Sequence, residues 1–369
     1  MMSKMSSNIS AARGFTLTEL LMSMTITLIL TGSALTTFRN ALVVNDSAAQ
    51  LADANQNLRA GTNQLIKDIM QAGRVIGPEG IPVPSGIGVS PISRPAPPST
   101  TLAFDVTSTT NLPDITTGYQ LGPMVNGTRT DLITIMTVDP FMPVIETPTE
   151  GTLDDAGAVV ALPATSVWLT GDTVEDTAPI NVGDLVLFKN ANGMAIQTVT
   201  KKDSTHVYFE PNDWFNFNQR SATQGSITQI NGGFTCGGGG TSQCAWPGTT
   251  MFRVLMITYY VDKTTSDAPR LMRKINNFEA QALAGVVEDL DLTYDLVDGV
   301  NNPTEKVSLP FTDAVAGVTY NSNQIRKVNI HMGVRSESIS YPSQDYIRNH
   351  MSTSVDVRSL ASVDRYVGQ

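Results

Sequence analysis

The sequence predicts an α+β protein in which a long N-terminal α-helix packs on a β-rich, antiparallel globular domain. An almost unbroken run of apolar and small residues from Phe15 to Phe38 predicts the first half of the helix. Leu51, Leu58 and Leu65 then recur at seven-residue intervals and predict its continuation as an amphipathic helix. Beyond them, short apolar and β-branched runs separated by Gly, Pro, Asn and Asp predict strands.

Composition narrows the class of protein. The 369 residues leave room for one large domain or two small ones beyond the helix. Charged residues make up only 16% and Thr, Ser, Asn, Gly and Pro are abundant, which is typical of an exported β-rich protein rather than a cytosolic enzyme. The net charge of −10 argues against general electrostatic binding of a polyanion, so we expect no nucleic-acid partner. A local basic patch is left open by this argument.

Residues 15–38 are predicted to span a membrane. Their length of 24 residues exceeds the ~20 that a helix needs to cross a bilayer core. Lys4 and Arg13 precede the run, and the positive-inside rule therefore places the N-terminus in the cytoplasm. Glu19 lies just inside the run, where a charge costs roughly 2.5–3.5 kcal/mol. A buried carboxylate needs a cationic partner or becomes neutral, so we expect Glu19 to have a function.

An ordinary secretory signal peptide is the alternative explanation of this N-terminus. Such a peptide carries its small-residue cleavage site after the apolar core, and Ser33-Ala34 is a poor version of that site. In this chain Gly14 instead stands before the apolar core.

The run Gly-Phe-Thr-Leu-Thr-Glu-Leu begins at Gly14 and leads into the apolar helix. It resembles the prepilin leader motif of type IV pilins and type II secretion pseudopilins. The resemblance implies that a membrane peptidase removes residues 1–14, cuts between Gly14 and Phe15, and methylates the new N-terminal Phe15. It also implies that Glu19 meets the N-terminal amine of a neighbouring subunit during assembly, and that the fold is an enlarged pilin fold.

Residues 39–76 are predicted to be the amphipathic half of the helix, laid on the domain. The polar residues of this half, including Asp68, are assigned to positions away from the leucine face. Gly61 weakens the predicted continuity, because glycine costs about 1 kcal/mol relative to alanine in a helix. Glycines and Pro78 are predicted to end the helix. A coiled-coil partner for the leucines is the alternative to core packing.

Residues 77–369 are predicted to form the β-rich periplasmic or extracellular domain. Residues 77–100 carry seven prolines and predict an irregular connection. A short helix is predicted at Ala280–Val286. Strands are predicted at Thr101–Val106, Asp131–Val138, Ala158–Ala161, Asp184–Lys189, Met194–Val199, His206–Glu210, Ser226–Ile230, Met251–Asp262, Arg270–Lys274, Val287–Tyr294, Gln324–Ser336 and Tyr346–Arg358.

Alternation assigns the side chains of two of these strands to the faces of the sheet. Alternation along the strand that begins at Met251 puts one set of side chains on a single face: Phe252, Val254, Met256, Thr258 and Tyr260. In the strand that begins at Val287, the side chains of Leu290, Leu292 and Tyr294 are predicted to face the core.

Several of the later strands extend the resemblance beyond the leader. The segments are Ile257–Val261 with Arg270–Arg273, Gly285–Tyr294, Ile325–Ser336 and Met351–Arg358. They are similar to hairpin and strand motifs of large minor pilins of the PilW type. Residues 77–250 share only the general character of such proteins.

The two cysteines, Cys236 and Cys244, bracket a glycine-rich loop. In an oxidising periplasm this spacing predicts a disulfide, with two free thiols as the alternative. No histidine or third cysteine lies near them in sequence, which argues against a metal site there.

Asp298, Asn301, Asn302 and Glu305 are weak calcium candidates, since calcium prefers oxygen ligands. Their spacing lacks the EF-hand pattern, and a plain turn explains them. We therefore assign no metal and no cofactor to the chain.

The sequence carries no recognisable catalytic motif. His206, His331 and His350 have no cysteine, serine or carboxylate at motif spacing and are interpreted as strand or surface residues. The segment Trp214–Phe217, like Trp168 and Trp246, packs in the core or contacts a ligand or partner subunit, and the sequence does not decide between these.

These features predict a non-enzymatic assembly subunit, single-pass in a bacterial inner membrane and later part of an extracellular pilus. The expected role is that of a minor type IV pilin that primes or caps pilus assembly. A type II secretion pseudopilin and a pilus-tip adhesin or ligand-binding module are the alternatives. The implied partners are other pilin and minor pilin subunits, the prepilin peptidase, the inner-membrane assembly platform and membrane lipid.

Overall fold

The structure of this chain is a computed structural model. It describes residues 14–76, 80–86, 88–104, 111–142, 145–146, 151–154, 157–161, 180–202, 206–219, 222, 224–230, 249–264, 268–297, 305–313, 317–340 and 344–357.

One continuous helix, α1 (Leu17–Met70), opens the described chain. Thr16 is its N-cap residue, and Gly73 follows its end with a φ of 69°, a left-handed conformation that glycine adopts without strain. The predicted long helix is therefore confirmed, and it runs through Gly61 without a break.

The other helices in the described part of the chain are short: α2 (Ile227–Ile230) and the 3-10 turn η1 (Ser322–Gln324). The first strands are β1 (Ile81–Pro82), β2 (Ser93–Arg94), β3 (Leu102–Ala103), β4 (Asn111–Leu112), β5 (Ile115–Gly118), β6 (Met124–Val125), β7 (Thr128–Arg129), β8 (Leu132–Val138), β9 (Ile145–Glu146), β10 (Gly151–Asp154) and β11 (Gly157–Ala161). The later strands are β12 (Leu185–Asn190), β13 (Gly193–Thr198), β14 (Lys201–Lys202), β15 (His206–Phe209), β16 (Thr250–Asp262), β17 (Arg270–Ile275), β18 (Gln281–Leu296), β19 (Phe311–Asp313), β20 (Val318–Tyr320), β21 (Ile325–Ser340) and β22 (Asp345–Asp356).

Within the described residues, ten strands form one antiparallel sheet. Its main path is β13-β12-β16-β17-β18-β21-β22, and β5, β8 and β9 join through the second side of β16. A smaller sheet has the order β10-β11-β15-β14, and the described strands also form four two-stranded sheets. The predicted combination of one long helix with a large antiparallel sheet is confirmed.

The central strand β16 separates two cores, because alternate side chains point to opposite faces of a sheet. Ile257, Tyr259 and Val261 contribute to the core beneath α1. Phe252 and Val254 contribute to a second core, which the proline-rich segment 80–104 covers. Alternation placed Phe252 and Val254 on the same face, but the sequence did not predict that both faces of β16 are buried.

The upper half of α1 packs against β18, β21 and β22. Leu58, Leu65 and Ile69 are buried there, as the leucine spacing predicts, whereas Leu51 remains 40% exposed. Gly61 is also buried in this interface. A Cβ at this position would lie only 3.0 Å from Ala284 Cβ and 3.0 Å from Leu271 Cδ2. The glycine therefore lets the helix approach the sheet closely, which offsets its poor helix propensity.

Two secondary-structure predictions are wrong. Ser226–Ile230 was predicted as a strand, but it forms a turn in which Gln229 donates to the Ser226 carbonyl and continues as α2. Ile227 and Ile230 are both buried, and their spacing of three is the helical one.

Ala280–Val286 was predicted as a helix but lies largely in β18, which begins at Gln281. Pairing with β17 overrides the alanine-rich propensity of this segment. Leu290, Leu292 and Tyr294 of the same strand face the core, as predicted.

Candidate assembly site

The N-terminal turn of α1 is closed by a capping box. Glu19 Oε2 accepts hydrogen bonds from the Thr16 main-chain N–H at 3.0 Å and from Thr16 Oγ1 at 2.9 Å. The Thr16 hydroxyl in turn caps the Glu19 N–H at 3.4 Å. Reciprocal bonding of this kind satisfies donors that a helix start otherwise leaves free. The carboxylate is therefore held in the first turn, next to the predicted cleavage point.

Gly14 and Phe15 are exposed at the head of this turn, with Phe15 at 87%. A Cβ placed on Gly14 would meet no atom within 4 Å. The fold of this chain therefore does not require glycine at position 14. If glycine is required at position 14, the requirement comes from another molecule, such as a peptidase that recognises this residue.

The lower half of α1 meets the requirements of a membrane span. Among the described residues, α1 is the helix whose length and composition allow it to cross a bilayer, and its apolar window is not covered by the rest of the chain. The hydroxyl groups in the span donate to helix carbonyls three or four residues earlier: Ser23, Thr25, Thr27, Thr31, Ser33, Thr36 and Thr37. Polar groups satisfied within the helix are tolerated in lipid.

The upper half of α1 is joined to the sheet by a buried ion pair. Asp68 Oδ2 accepts hydrogen bonds from Arg273 Nε and from the Tyr259 hydroxyl, both at 2.7 Å. Gln64 donates to the other carboxylate oxygen at 3.1 Å. Asp68 was predicted among the polar positions away from the core, and that assignment is wrong, since only 4% of it is exposed.

The pKa values of Tyr259 and Arg273, the two partners of Asp68, follow from burial and charge. Burial, together with the adjacent Asp68 carboxylate, raises the pKa of Tyr259 well above its ordinary value. Burial opposes the charged form of Arg273, but hydrogen bonding and attraction to Asp68 outweigh it and raise the pKa of Arg273. Tyr259 therefore remains a hydrogen-bond donor and Arg273 a cation at physiological pH.

Below this joint the contacts between helix and sheet become polar. Ser47 and Ser340 share a hydrogen bond of 3.1 Å, and the Asn349 side chain donates to Asn55. A cavity of about 420 Å³ opens beside them, lined by Gln50, Asp53, Ala54, Gln56, Asn57, Val286, Arg335, Ser336, Glu337 and Ser338. The helix is thus held firmly by its apolar upper part and more loosely by this polar part.

Glu288 ties the strands beside this cavity together. Its carboxylate lies 3.0 Å from Arg335 Nε on β21 and 2.8 Å from Arg348 Nε on β22. Arg335 also lies over the Tyr346 ring, 3.7 Å from its centroid. The two arginines are direct cross-strand neighbours, so the shared carboxylate offsets their repulsion.

Several predicted site residues lie outside the described residues: Cys236, Cys244, Asp298, Asn301, Asn302, Trp168 and Trp246. The disulfide therefore stays a prediction. Glu305 is described and exposed. Among the described residues, no cluster of His, Cys, Asp and Glu is arranged to hold a metal ion.

The histidines lie in strands of the sheets. His331 and His350 stack with ring centroids 5.6 Å apart on the solvent face of β21 and β22. The aromatic segment divides between two environments, since Trp214 is 50% exposed while Phe215 and Phe217 are buried. Core packing is therefore confirmed for Phe215 and Phe217, whereas contact of Trp214 with a ligand or partner stays a prediction.

Comparison with known proteins bears on the leader and helix. The family model described as "Prokaryotic N-terminal methylation motif" matches residues 9–35. No curated protein matches the chain. No solved structure matches it either.

The matched motif, with the exposed apolar helix behind it, supports a protein of the type IV pilin or pseudopilin class. It indicates a structural subunit that is processed by a prepilin peptidase and has pilin-type partners. The arrangement fits anchoring in a membrane, with the β-rich domain extracellular or periplasmic.

Proposed function

We propose that this chain is a minor type IV pilin that primes or caps pilus assembly. Prepilin peptidase cleaves it between Gly14 and Phe15 and methylates Phe15. The processed helix holds the chain in the inner membrane, with its N-terminus cytoplasmic, until it joins other pilin subunits at the assembly platform.

The observation that carries this proposal is the division of α1 into a free half and a fixed half. Large apolar side chains of the free half, including Leu28 at 71%, are exposed, while Leu65 and Ile69 are completely buried. A helix exposed in this way needs lipid or other helices around it. The same segment can therefore serve first as a membrane anchor and then as a packing surface between subunits.

Glu19 provides the specificity of assembly in this proposal. Its carboxylate is held within the first helical turn by Thr16, close to the amine that cleavage would expose on Phe15. In a low-dielectric fibre core or bilayer, a carboxylate is stabilised by a cationic partner. The N-terminal amine of a neighbouring subunit would supply that cation.

The size of the domain favours a low-copy position. Residues 77–369 follow the helix, and a repeating helical lattice limits the bulk that each subunit can add. A position at the tip removes that limit on one side. The similarity of the later strands to large minor pilins of the PilW type agrees with a tip position.

Cleavage is tested with Gly14→Ala. The expected product is a longer, unmethylated chain that stays in membranes, detected by intact mass. Gly32→Ala is the matched control, because a Cβ at Gly32 also meets no atom within 4 Å. A mature mass in the Gly14→Ala chain would show that the cleavage assignment is wrong.

The role of Glu19 is tested with Glu19→Gln and Glu19→Ala. Glutamine keeps an acceptor for Thr16 but carries no charge, so it preserves the capping box and removes the ion pair. We expect both variants to be processed but largely absent from sheared fibres. Normal incorporation of Glu19→Gln would show that capping, and not charge pairing, is what Glu19 supplies.

The machine that the chain joins is identified by its partners. Purification of the full-length chain from its native membranes is expected to recover pilus subunits. Recovery of type II secretion subunits alone would replace the pilin role by a pseudopilin role within the same class.

A further inference from the structure

Strand β22 forms an open edge of the main sheet. It is paired only with β21 among the described strands. It spans Asp345–Asp356, and its pairing is regular from Arg348 to Asp356. An unpaired edge of this length presents a row of main-chain donors and acceptors.

The register shows which main-chain groups face outward. The Val357 N–H donates to the Arg326 carbonyl, so residues 357, 355, 353 and 351 are hydrogen-bonded to β21. The alternate residues therefore direct their N–H and C=O groups away from the sheet. In the described part of the chain, His350 N–H is taken by the Asn349 side chain, whereas no acceptor meets the outward N–H of Ser352 or Ser354.

Strand β13, which ends the main path of the sheet, has its outward main-chain groups covered. On β13, the Asn218 side chain accepts from Thr198 N–H and donates to Thr198 O, both at 2.8 Å. Helix α2 also packs on this strand. Proteins usually protect edges with proline, lysine or bulges, and β22 has no proline or lysine and no bulge from Arg348 onward. Among the described residues, the edge of β22 therefore lacks the side-chain and helix cover that β13 has.

We propose that β22 is a strand-addition site for an extended segment of a neighbouring pilin-class subunit. This rests on the proposed assembly function. β22 lies directly beside the fixed half of α1, since α1 contacts it and Asn349 donates to Asn55. A subunit packed against α1 therefore reaches the β22 edge without crossing the rest of the domain.

The edge also defines the chemistry of the incoming strand. On the helix side, it would continue the row formed by Met351, Thr353 and Val355. On the solvent side, it would lie beside Ser352 and Ser354. We expect an amphipathic strand with apolar or small residues on one face and polar residues on the other.

Residue-resolved hydrogen exchange of the full-length chain tests this proposal, comparing the free chain in detergent with the chain in native assemblies. The amides of Ser352 and Ser354 should exchange fast in the free chain and be protected on assembly. Those of Thr353 and Val355 should be protected in both. Equally fast exchange of Ser352 and Ser354 inside an assembly would overturn strand addition while leaving the assembly role intact. A chain that enters no assembly at all would overturn both.

A variant pair gives a second test. Ser354→Pro removes an outward N–H while leaving the bonds to β21, and proline is tolerated at such edge positions. We expect at least a tenfold loss of assembled chain relative to Ser354→Ala, with protection of Thr353 and Val355 showing that the domain stays folded. Equal assembly of the two variants would contradict the proposal.

The chain's own C-terminal residues 358–369 are the competing occupant. If Ser352 and Ser354 are already protected in the free chain, and deleting residues 358–369 removes that protection, the edge belongs to the tail and the proposal is wrong. Fast exchange of both amides in the intact free chain supports a partner strand.

Discussion

Asp68 Oδ2, on the helix, lies 2.7 Å from Arg273 Nε, on strand β17 of the sheet. Both side chains are mostly buried, with 6% and 14% of their surface exposed. The pair therefore joins the half of the helix outside the proposed membrane span to the β-rich domain. Asp68 lies two residues before the end of α1 at Met70.

Removal of the Asp68 carboxylate should destabilise the domain. Asp68→Ala leaves Arg273 buried without its carboxylate, and breaking a buried pair in this way costs about 3–5 kcal/mol. We expect the lower end of this range because Arg273 keeps some contact with water. The measurement is urea unfolding of the full chain in detergent.

A double variant separates pairing from packing. Asp68→Leu combined with Arg273→Met should recover most of the lost stability, because no charge is then left unpaired. Arg59→Ala, on the exposed side of the same helix, is the control and should change the free energy of unfolding by less than about 0.5 kcal/mol. A double variant no more stable than Asp68→Ala would contradict the ion-pair argument.

Gly61 should tolerate no larger side chain. Gly61→Val is expected to lower the free energy of unfolding by about 1–3 kcal/mol, because added carbon atoms collide with Ala284 and Leu271. The control is Ala60→Gly at the exposed neighbouring position, which should cost only about 1 kcal/mol through helix propensity. Stabilisation by Gly61→Val would mean that helix and sheet do not approach as closely as described.

Asp131 should impose a pH dependence on stability. Burial raises the pKa of Asp131 from 3.8 to about 6, although main-chain N–H groups of Gln120 and Leu292 bond to its carboxylate and oppose the shift. The folded chain therefore binds more protons than the unfolded chain between these two values. By linkage, the contribution of Asp131 to stability falls as pH rises from about 4 to about 6 and is level above that.

Asp131→Asn tests this contribution. The difference in free energy of unfolding between parent and variant should slope downward with pH across this window and become constant at higher pH. Urea unfolding at closely spaced pH values gives the two curves. Parallel curves through the window would show that Asp131 titrates normally in the folded chain.

Thr16 should matter through its hydroxyl group. Thr16→Val removes the N-cap acceptor and the donor to Glu19, at a cost of about 1 kcal/mol in helix stability. Thr16→Ser keeps both functions. We expect incorporation of the Val variant into fibres to fall below that of the Ser variant, measured by quantitative immunoblot of sheared fibres. Equal incorporation would separate assembly from the capping box.

The predicted disulfide between Cys236 and Cys244 is checked by intact mass. In chain purified from an oxidising periplasm without reductant, the mass should be lower by the hydrogens that the bond releases, and alkylation should add nothing. Cys236→Ser with Cys244→Ser is the control for the alkylation reaction. Alkylation of both cysteines without prior reduction would show free thiols.

Patterns within short stretches of sequence were enough to predict the long helix of this protein. Apolar continuity from Phe15 and the leucine spacing predicted α1, and Gly73 was among the residues predicted to end it. The leader motif lies in one short contiguous stretch, so it could be recognised from the sequence without knowledge of the fold. The strongest strands were also predicted, because alternation is visible within one segment.

The tertiary structure alone decided which polar residues are buried and which strand is exposed. The sequence placed Asp68 on the surface, because its partner Arg273 lies on a strand far away along the chain. Segment Gln281–Val286 became a strand only because β17 pairs with it. The open edge at β22 likewise depends on the order of strands in the sheet. Hydrophobic periodicity can be seen in neighbouring residues. The burial of a polar side chain and the pairing of a strand depend instead on partners far along the chain.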